Sequence, residues 1–274
     1  MITIKHIKGI LILAVCLMIF GFSSCVLIGI WCMYQEGVEE YDDLQEYAEE
    51  ETKNDAPAAD GEKLATIDFK ALQEINGEVV AWIRCEALGL DYPVVQGEDN
   101  EYYLDHTFTG EEHSGGCIFM DCRNTPDFSD DNTILYGHNR KDGSMFGSFG
   151  MSLEGEVTVQ VYTPQGLNTY QAVDNRIIGA SEEPYYRTSL EKEQFAILSS
   201  AVSVHTGIPM HEGEKLLTLS TCNGNDQERH IILCRKTAPQ EQTETAGSES
   251  AIEIITEPVP EPENTAPAVM EASE

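Results

Sequence analysis

Basic side chains are scarce in this sequence. Only 16 of its 274 residues are Lys or Arg, against 48 Asp or Glu, and the formal net charge is −32 at pH 7. A protein that binds nucleic acid needs a basic surface to neutralise phosphates, so the composition argues against that class. Hydrophobic residues make up 41% of the chain, which is enough for a packed core. The sequence therefore predicts an acidic, folded protein rather than a wholly disordered one.

Charge is missing altogether from residues 9–35. Within them, the apolar stretch Ile10–Met33 is long enough to span a bilayer, which takes about 20 residues. Lys5 and Lys8 precede it and acidic residues follow it, so the positive-inside rule predicts a cytoplasmic N-terminus and an extracellular remainder. A cleaved signal peptide would have a shorter apolar region, and a lipoprotein cut before Cys25 would keep an apolar end. We favour an uncleaved anchor.

Changes in charge divide the chain into four segments. The second carries twelve acids and one lysine, and the last carries nine acids, five prolines and no base. The last segment cannot bury enough apolar surface to offset its ordering entropy, so we expect it to be disordered. In the second, a helical spacing of Val38, Tyr41, Leu44 and Tyr47 permits a short helix, although we favour a solvated stalk. The predicted segments are a cytoplasmic stub and transmembrane anchor (1–35), an acidic spacer (36–62), a folded domain (63–236) and an acidic, proline-rich tail (237–274).

Short apolar runs between turn residues dominate the predicted domain. Three valines in residues 157–161 alternate with polar residues, which is typical of a half-buried strand, and the next turn predicts a hairpin over Glu156–Val173. Many short strands of this kind predict a mainly β fold that closes, or nearly closes, into a barrel. The predicted strands are Val79–Ile83, Tyr92–Gln96, Gly116–Met120, Thr133–Tyr136, Glu156–Tyr162, Thr169–Val173, Leu216–Thr221 and His230–Leu233. The predicted helices run from about Asp68 to Asn76-Gly77 and over Ser189–Ala201, with Ser189 as the N-cap.

Cysteine patterns that bind metal are missing. Of eight cysteines none forms a C-x-x-C pair, and no Cys/His cluster has zinc spacing, so we predict neither a metal site nor a cofactor. Five cysteines lie outside the anchor, and an odd number cannot pair completely within one chain. Cys117 and Cys122 flank a predicted strand, and two strand positions five apart face opposite sides, which disfavours a bond between them unless the strand ends early.

Cys222 stands apart from the other thiols. It follows the apolar strand Leu216–Thr221 and precedes a polar loop, after which the next strand starts at Arg229. A strand, a short loop and a strand form a hairpin, so Cys222 and Arg229 are expected at the same end of the sheet. A guanidinium stabilises a nearby thiolate and offers donors to an oxyanion. The spacing alone is equally compatible with a buried, structural cysteine.

A nucleophilic cysteine also needs an acid–base partner, most often histidine. Six histidines lie outside the anchor. His138 ranks first because it follows the apolar strand Thr133–Tyr136 at the mouth of a predicted loop. His205 and His211 are not excluded by spacing, whereas strand alternation points His230 away from the face of the candidate arginine.

At this point the residues resemble a known family. Thr218-Leu219-Ser220-Thr221-Cys222, followed by Arg229, is similar to the active-site signature of sortases, the cysteine transpeptidases of Gram-positive cell surfaces. Tyr136-Gly137-His138-Asn139 is similar to their histidine segment. Further segments resemble class B sortases and keep the expected order across residues 64–236. They are Ile75–Ile83, Tyr92–Gly97, Asp99-Asn100, Tyr102–Leu104, Gly116–Asn124 and Asp142–Phe146.

The resemblance implies a fold and a set of roles. The implied fold is an eight-stranded sortase barrel with an N-terminal helix and a helical insertion between the sixth and seventh strands, preceded by one transmembrane helix. Cys222 is implied as the nucleophile, His138 as the general acid and base, and Arg229 as the stabiliser of the substrate carbonyl. The implied substrate groove is lined by Asn100, Leu104, Tyr136 and Ser220, and by either Tyr185 or Tyr186.

The implied reaction cleaves a C-terminal sorting motif of secreted proteins after Thr and joins the Thr carbonyl to an amine of a cell-wall precursor, on the outside of the cell membrane. The partners are thus secreted proteins and an amine acceptor. Three alternatives stay open: a pilin-polymerising sortase, a hydrolytic thiol peptidase and a non-catalytic wall-binding protein. In papain-like peptidases Cys precedes His, unlike here. The joint presence of Cys222, His138 and Arg229 argues against a non-catalytic protein.

Overall fold

A computed structural model of the chain describes residues 4–50, 65–151, 153, 155–222 and 227–237. The predicted tail, apart from Thr237, and most of the second half of the spacer lie outside the described residues. The helices are α1 (Ile4–Leu44), α2 (Phe69–Ile75) and α3 (Lys192–Thr206). The strands are β1 (Ala48–Glu50), β2 (Ala65–Ile67), β3 (Val79–Cys85), β4 (Leu90–Val95), β5 (Ile118–Met120), β6 (Asn132–Tyr136), β7 (Thr158–Thr163), β8 (Gly166–Gly179), β9 (Leu216–Cys222) and β10 (Glu228–Lys236).

Eight of the strands close into a barrel, in the order β10-β8-β7-β3-β4-β5-β6-β9. The predicted fold class, a mainly β barrel of eight strands, is confirmed. Neighbours in the barrel pair antiparallel except β4 with β5 and β6 with β9. Because β6 and β9 run parallel, their carboxyl ends lie at the same rim of the barrel. Tyr136, the last residue of β6, and Cys222, the last residue of β9, therefore lie at the same rim.

The barrel packs on two sides. Its interior is filled by apolar side chains, among them Leu219 and Ile232, which are paired across β9 and β10 and fully buried. A second cluster lies outside the barrel wall, where α3 covers β9 and β10. There Leu216, Ile231 and Leu233 contact the buried face of the helix, formed by Phe195, Leu198 and Val202. Because side chains alternate along a strand, Ser220 and Cys222 share the outer face with Leu216.

The insertion helix α3 lies between the sixth and seventh barrel strands, as the resemblance implies. Its start differs from the prediction. Glu191, not Ser189, is the N-cap, and its side chain and that of Gln194 form a reciprocal capping box. The Ser189 hydroxyl instead donates to Asp131, 3.3 Å away. Helix α2 begins after Asp68, whose carboxylate accepts from the backbone N–H of Ala71, as the predicted boundary requires.

Helix α1 extends beyond the predicted anchor to Leu44. Its residues Ile12–Gly29 are long and apolar enough to cross a membrane, with a mean hydropathy of 2.5. Beyond them, Tyr41, Leu44 and Ala48 are buried against the barrel, with exposures of 8%, 3% and 6%. Strand β1 then pairs with β2. The expected solvated stalk is thus not what residues 40–50 form, because their spaced apolar side chains find a surface to pack on.

Candidate active site

Cys222 and Arg229 lie directly opposite each other in the antiparallel pair of β9 and β10. Opposed residues of such a pair project to the same face, with Cβ atoms about 5 Å apart. The thiol is exposed at the end of β9. His230, one position on, faces the other way and its imidazole bonds to the Asn175 side chain at 2.6 Å. The strand register thus places Cys222 and Arg229 at the same end of the sheet and on one face, and His230 on the other face, as the sequence predicted.

Three polar side chains lie near Cys222 on the outer face of the barrel. Tyr136 pairs with Ser220 across the parallel strands. The Ser220 hydroxyl is hydrogen bonded to the Tyr186 hydroxyl at 2.9 Å. Burial is the main cause that raises the pKa of Tyr186, and Arg229 and Cys222 also act on it electrostatically. Tyr186, rather than the buried Tyr185, is therefore the tyrosine of its loop beside the thiol.

The buried carboxylate of Asp121 connects Arg123 and Tyr136. Asp121 is fully buried, and it accepts from the Arg123 guanidinium at 2.7 and 2.9 Å and from the Tyr136 hydroxyl at 2.8 Å. Burial would raise the pKa of Asp121, but these hydrogen bonds outweigh it and lower that pKa. Arg123 also donates to the carbonyl of Tyr186, 3.2 Å away. Arg123 thereby connects the turn after β5 to the loop that carries Tyr186.

His138 lies just after β6, at the rim where β9 ends. Its Nε2 is 2.6 Å from the carbonyl oxygen of Leu104. A carbonyl only accepts hydrogen bonds, so Nε2 carries a proton and Nδ1 is the nitrogen left to exchange one. The backbone N–H of Phe146 donates to the His138 carbonyl at 3.0 Å, which fixes the segment from its other side.

Asn139 connects the histidine segment to the cysteine. Its side-chain amide donates to the Cys222 carbonyl at 2.9 Å. Asn139 belongs to the histidine motif in the sequence, but its role was not predictable, because a hydrogen bond to a main-chain atom far along the chain leaves no sequence signal. The bond holds the segment after β6 to the end of β9.

Two predicted groove residues are placed less directly. The side chain of Asn100 accepts from the backbone N–H of Cys122 at 2.8 Å and so braces the turn after β5. Leu104 is 44% exposed, and it is its carbonyl that reaches His138. Neither observation gives these side chains a contact with Cys222. Among the residues that the structure describes, no group of three His, Cys, Asp or Glu side chains could hold a metal ion.

The arrangement suits acyl transfer. An exposed thiol and a guanidinium share one face, and an imidazole that bonds through Nε2 to a main-chain carbonyl lies at the same rim. A thiol of this kind can attack a carbonyl, and fixed donors can stabilise the oxyanion that forms.

Comparison with known proteins agrees with this geometry. A family model described as the Sortase domain matches residues 83–237. A sortase B of Listeria monocytogenes is 33% identical over 165 residues, which cover 57% of this chain and 67% of that protein. A sortase B of Staphylococcus aureus is 28% identical over 241 residues, covering 82% of this chain and 93% of the other.

Solved structures give the same result. Sortase B from Bacillus anthracis in complex with AAEK1 superposes with a TM-score of 0.59 at 26% identity, covering 76% of this chain and 99% of that one. The Staphylococcus aureus sortase B–substrate complex gives a TM-score of 0.55 at 26% identity, covering 62% and 85%. The barrel, the cysteine on its seventh strand and these relatives together show that the chain belongs to the sortase family of cysteine transpeptidases, within class B.

Proposed function

We propose that the protein cleaves a C-terminal sorting motif of secreted proteins after Thr and joins the Thr carbonyl to an amine of a cell-wall precursor. The observation that carries the proposal is the pairing of Cys222 with Arg229 on one face, beside Tyr136, Tyr186 and Ser220. Family membership supports the reaction class and a peptide as substrate.

In the proposed first step, the Cys222 sulfur bonds to the Thr carbonyl carbon as a thiolate, its proton having passed to His138. The carbonyl oxygen becomes an oxyanion, which the Arg229 guanidinium stabilises. Collapse of this intermediate breaks the peptide bond. The leaving amine takes the proton from His138 Nδ1, and a thioacyl-enzyme remains.

In the second step, an acceptor amine attacks the thioester carbonyl carbon and gives a proton to His138. The carbon–sulfur bond breaks, Cys222 leaves as a thiolate, and a new amide forms. The next substrate enters with the thiolate and imidazolium restored. Water in place of the amine would give the hydrolytic peptidase, and a lysine of a second pilin subunit would give the polymerising enzyme.

We also propose that α1 anchors the chain in the cell membrane, with a cytoplasmic N-terminus and an extracellular barrel. The apolar window Ile12–Gly29 supports the anchor by its length and composition. Lys5 and Lys8 support the orientation, since positive charge flanks the cytoplasmic side. A lipid-linked acceptor and a secreted substrate would then meet the enzyme at one surface.

A peptide library tests the reaction. The full chain in detergent micelles is mixed with quenched sorting-motif peptides, with and without amine acceptors, and mass spectrometry follows acylation of Cys222. We expect cleavage between Thr and the next residue and an adduct that is lost in Cys222→Ala. Cys122→Ala removes the other exposed barrel thiol and is the matched control, expected to retain both.

The role of Arg229 is tested beside it. Arg229→Lys keeps the positive charge but loses the planar fork of donors. We expect kcat/KM to fall about 10²-fold, because one oxyanion donor is typically worth that much.

A folded wild-type chain that forms no adduct across the library would contradict the proposed function. Products that stay unchanged when amine is added would favour the hydrolytic peptidase.

A further inference from the structure

The end of α1 contacts the loop that bears the His138 acceptor. We name residues 104–117, between the 3-10 turn at Tyr102–Leu104 and β5, the histidine loop. The Tyr41 hydroxyl donates to the Gly116 carbonyl at 2.8 Å. One residue earlier, the Glu40 carboxylate accepts from the backbone N–H of Thr109 at 2.9 Å. Two successive helix residues thus hold two points of the loop, 69 and 75 positions away in sequence.

Gly116 is where this contact reaches the imidazole. A Cβ atom at Gly116 would lie 2.8 Å from the Leu104 carbonyl oxygen and 3.1 Å from Cδ2 of His138. The backbone there has a φ of +56°, which glycine adopts without strain. The main chain at Gly116 therefore packs directly on His138 and on its hydrogen-bond acceptor. A displacement of Gly116 would therefore change the packing of both the His138 ring and the Leu104 carbonyl.

The environment of Tyr41 keeps its hydroxyl a donor. Its ring lies edge-on to Tyr92, with centroids 5.6 Å apart. Burial raises the pKa of Tyr41, so the phenol stays protonated. The charged and titratable groups that act on the Tyr41 site are Glu40, Arg140 and the Cys117 thiol. Burial raises the pKa of Cys117 to about 12, so that thiol stays neutral at any working pH.

We propose that Tyr41, assisted by Glu40, is a positioning residue for His138. It acts through the Gly116 carbonyl and the histidine loop, and it touches neither the substrate nor Cys222. The proposal rests on the proposed role of His138 in proton transfer. It gives the segment after the membrane anchor a part in catalysis, whereas the family signature lies wholly within the barrel.

Conservative variants of the full chain in detergent micelles test this role. Tyr41→Phe removes the hydroxyl and keeps the buried ring. Tyr47→Phe removes a hydroxyl from the same segment, where it is the Tyr47 carbonyl that bonds to the Asp68 N–H. Glu40→Ala removes the second contact. Each is assayed for kcat, KM and the pH profile of kcat/KM with a cleaved sorting-motif peptide.

We expect Tyr41→Phe to lower kcat about tenfold with KM nearly unchanged, because general acid–base transfer depends on the placement of the imidazole and Tyr41 does not touch the substrate. The pH profile should be displaced, since it reports the acid and base of the free enzyme. Glu40→Ala should act in the same direction but less strongly. Tyr47→Phe should match the wild type in all three quantities.

The thermal midpoint and the protection of the buried Cys85 and Cys234 from iodoacetamide show whether each variant is folded. A Tyr41→Phe enzyme that is folded and matches Tyr47→Phe in kcat and pH profile overturns the proposal. If Tyr41→Phe does not fold, Glu40→Ala decides by the same criteria. A wild type without an acyl adduct removes the proposed function and this role together, whereas an active wild type beside an unaffected Tyr41→Phe removes this role alone.

Discussion

At the scale of single residues, exposure separates the reactive thiols of the barrel from the inert ones. Cys122 and Cys222 are exposed, whereas Cys85, Cys117 and Cys234 are buried. Burial raises the pKa of Cys85 to about 11 and that of Cys117 to about 12, which leaves almost no thiolate at neutral pH. Among the described cysteines of the barrel, thiol reactions with external reagents are therefore expected at Cys122 and Cys222 alone.

Alkylation of the folded chain measures this separation. With iodoacetamide at pH 7.5, peptide mapping should find Cys122 and Cys222 labelled, while Cys85, Cys117 and Cys234 become labelled only in denaturant. Cys222→Ala should lose one label and keep the other. Labelling of the three buried cysteines at a similar rate in native buffer would contradict the packing described for the barrel.

At the scale of elements, the ion pair of Asp121 and Arg123 joins the turn after β5 to the loop that carries Tyr186. The Asp121 pKa is lowered by folding. A lowered carboxyl pKa stabilises the fold fully above the unfolded pKa of about 3.9, and this contribution disappears as the pH falls through the lower, folded value.

Asp121→Asn should therefore reduce the free energy of unfolding by about 2 kcal/mol at pH 7, the scale of hydrogen bonds to a charged group. Urea unfolding from pH 7 to pH 3 should show a constant difference from the wild type down to about pH 5, then a narrowing difference below about pH 4. Exposed Glu98→Gln is the control. A difference independent of pH throughout would show that the charge of Asp121 does not stabilise the fold.

The end of α1 makes a second prediction about elements. A soluble fragment of residues 36–237 keeps Tyr41, Leu44 and Ala48 on the barrel, while a fragment of residues 61–237 loses them. Burying Tyr41 and Leu44 contributes about 2 kcal/mol each, so the shorter fragment should be less stable by about 4 kcal/mol. The urea unfolding midpoints of the two fragments measure this difference in stability. The midpoint of Leu44→Ala in the longer fragment should fall between them. Equal midpoints would mean that the helix end does not pack in solution.

Much of the barrel follows from local patterns, because alternation and turn residues mark each strand and the β9–β10 loop is short. The pairing of Cys222 with Arg229 was predictable for that reason. Tyr41 was not, since acidic neighbours give its segment the composition of a stalk and only the tertiary surface reveals its partner. The choice between Tyr185 and Tyr186 depended on a loop without periodicity. The ion pair of Asp121 and Arg123 joins residues two positions apart, and no periodic pattern in the sequence predicts it.

At the scale of the whole molecule, one apolar helix precedes an acidic barrel. The proposed anchor predicts that the chain stays in the membrane fraction after high-salt and alkaline washes and is released by detergent. Protease added outside intact cells should degrade the barrel. A chain without residues 1–35 should be soluble, which makes it the control. A barrel protected from external protease in intact cells, yet cleaved after lysis, would contradict the proposed orientation.

The unbroken helix α1 has a further consequence. Each helical residue adds about 1.5 Å, so the 12 residues from Gly29, the end of the apolar window, to Tyr41 place the barrel's attachment point about 18 Å farther along the axis. With the apolar window in a bilayer, the continuous helix α1 would act as a rigid spacer rather than a flexible linker. It would fix the distance and the orientation of the Cys222 thiol relative to the membrane surface. Acceptors would be selected by how far their amine extends from the membrane as well as by their chemistry.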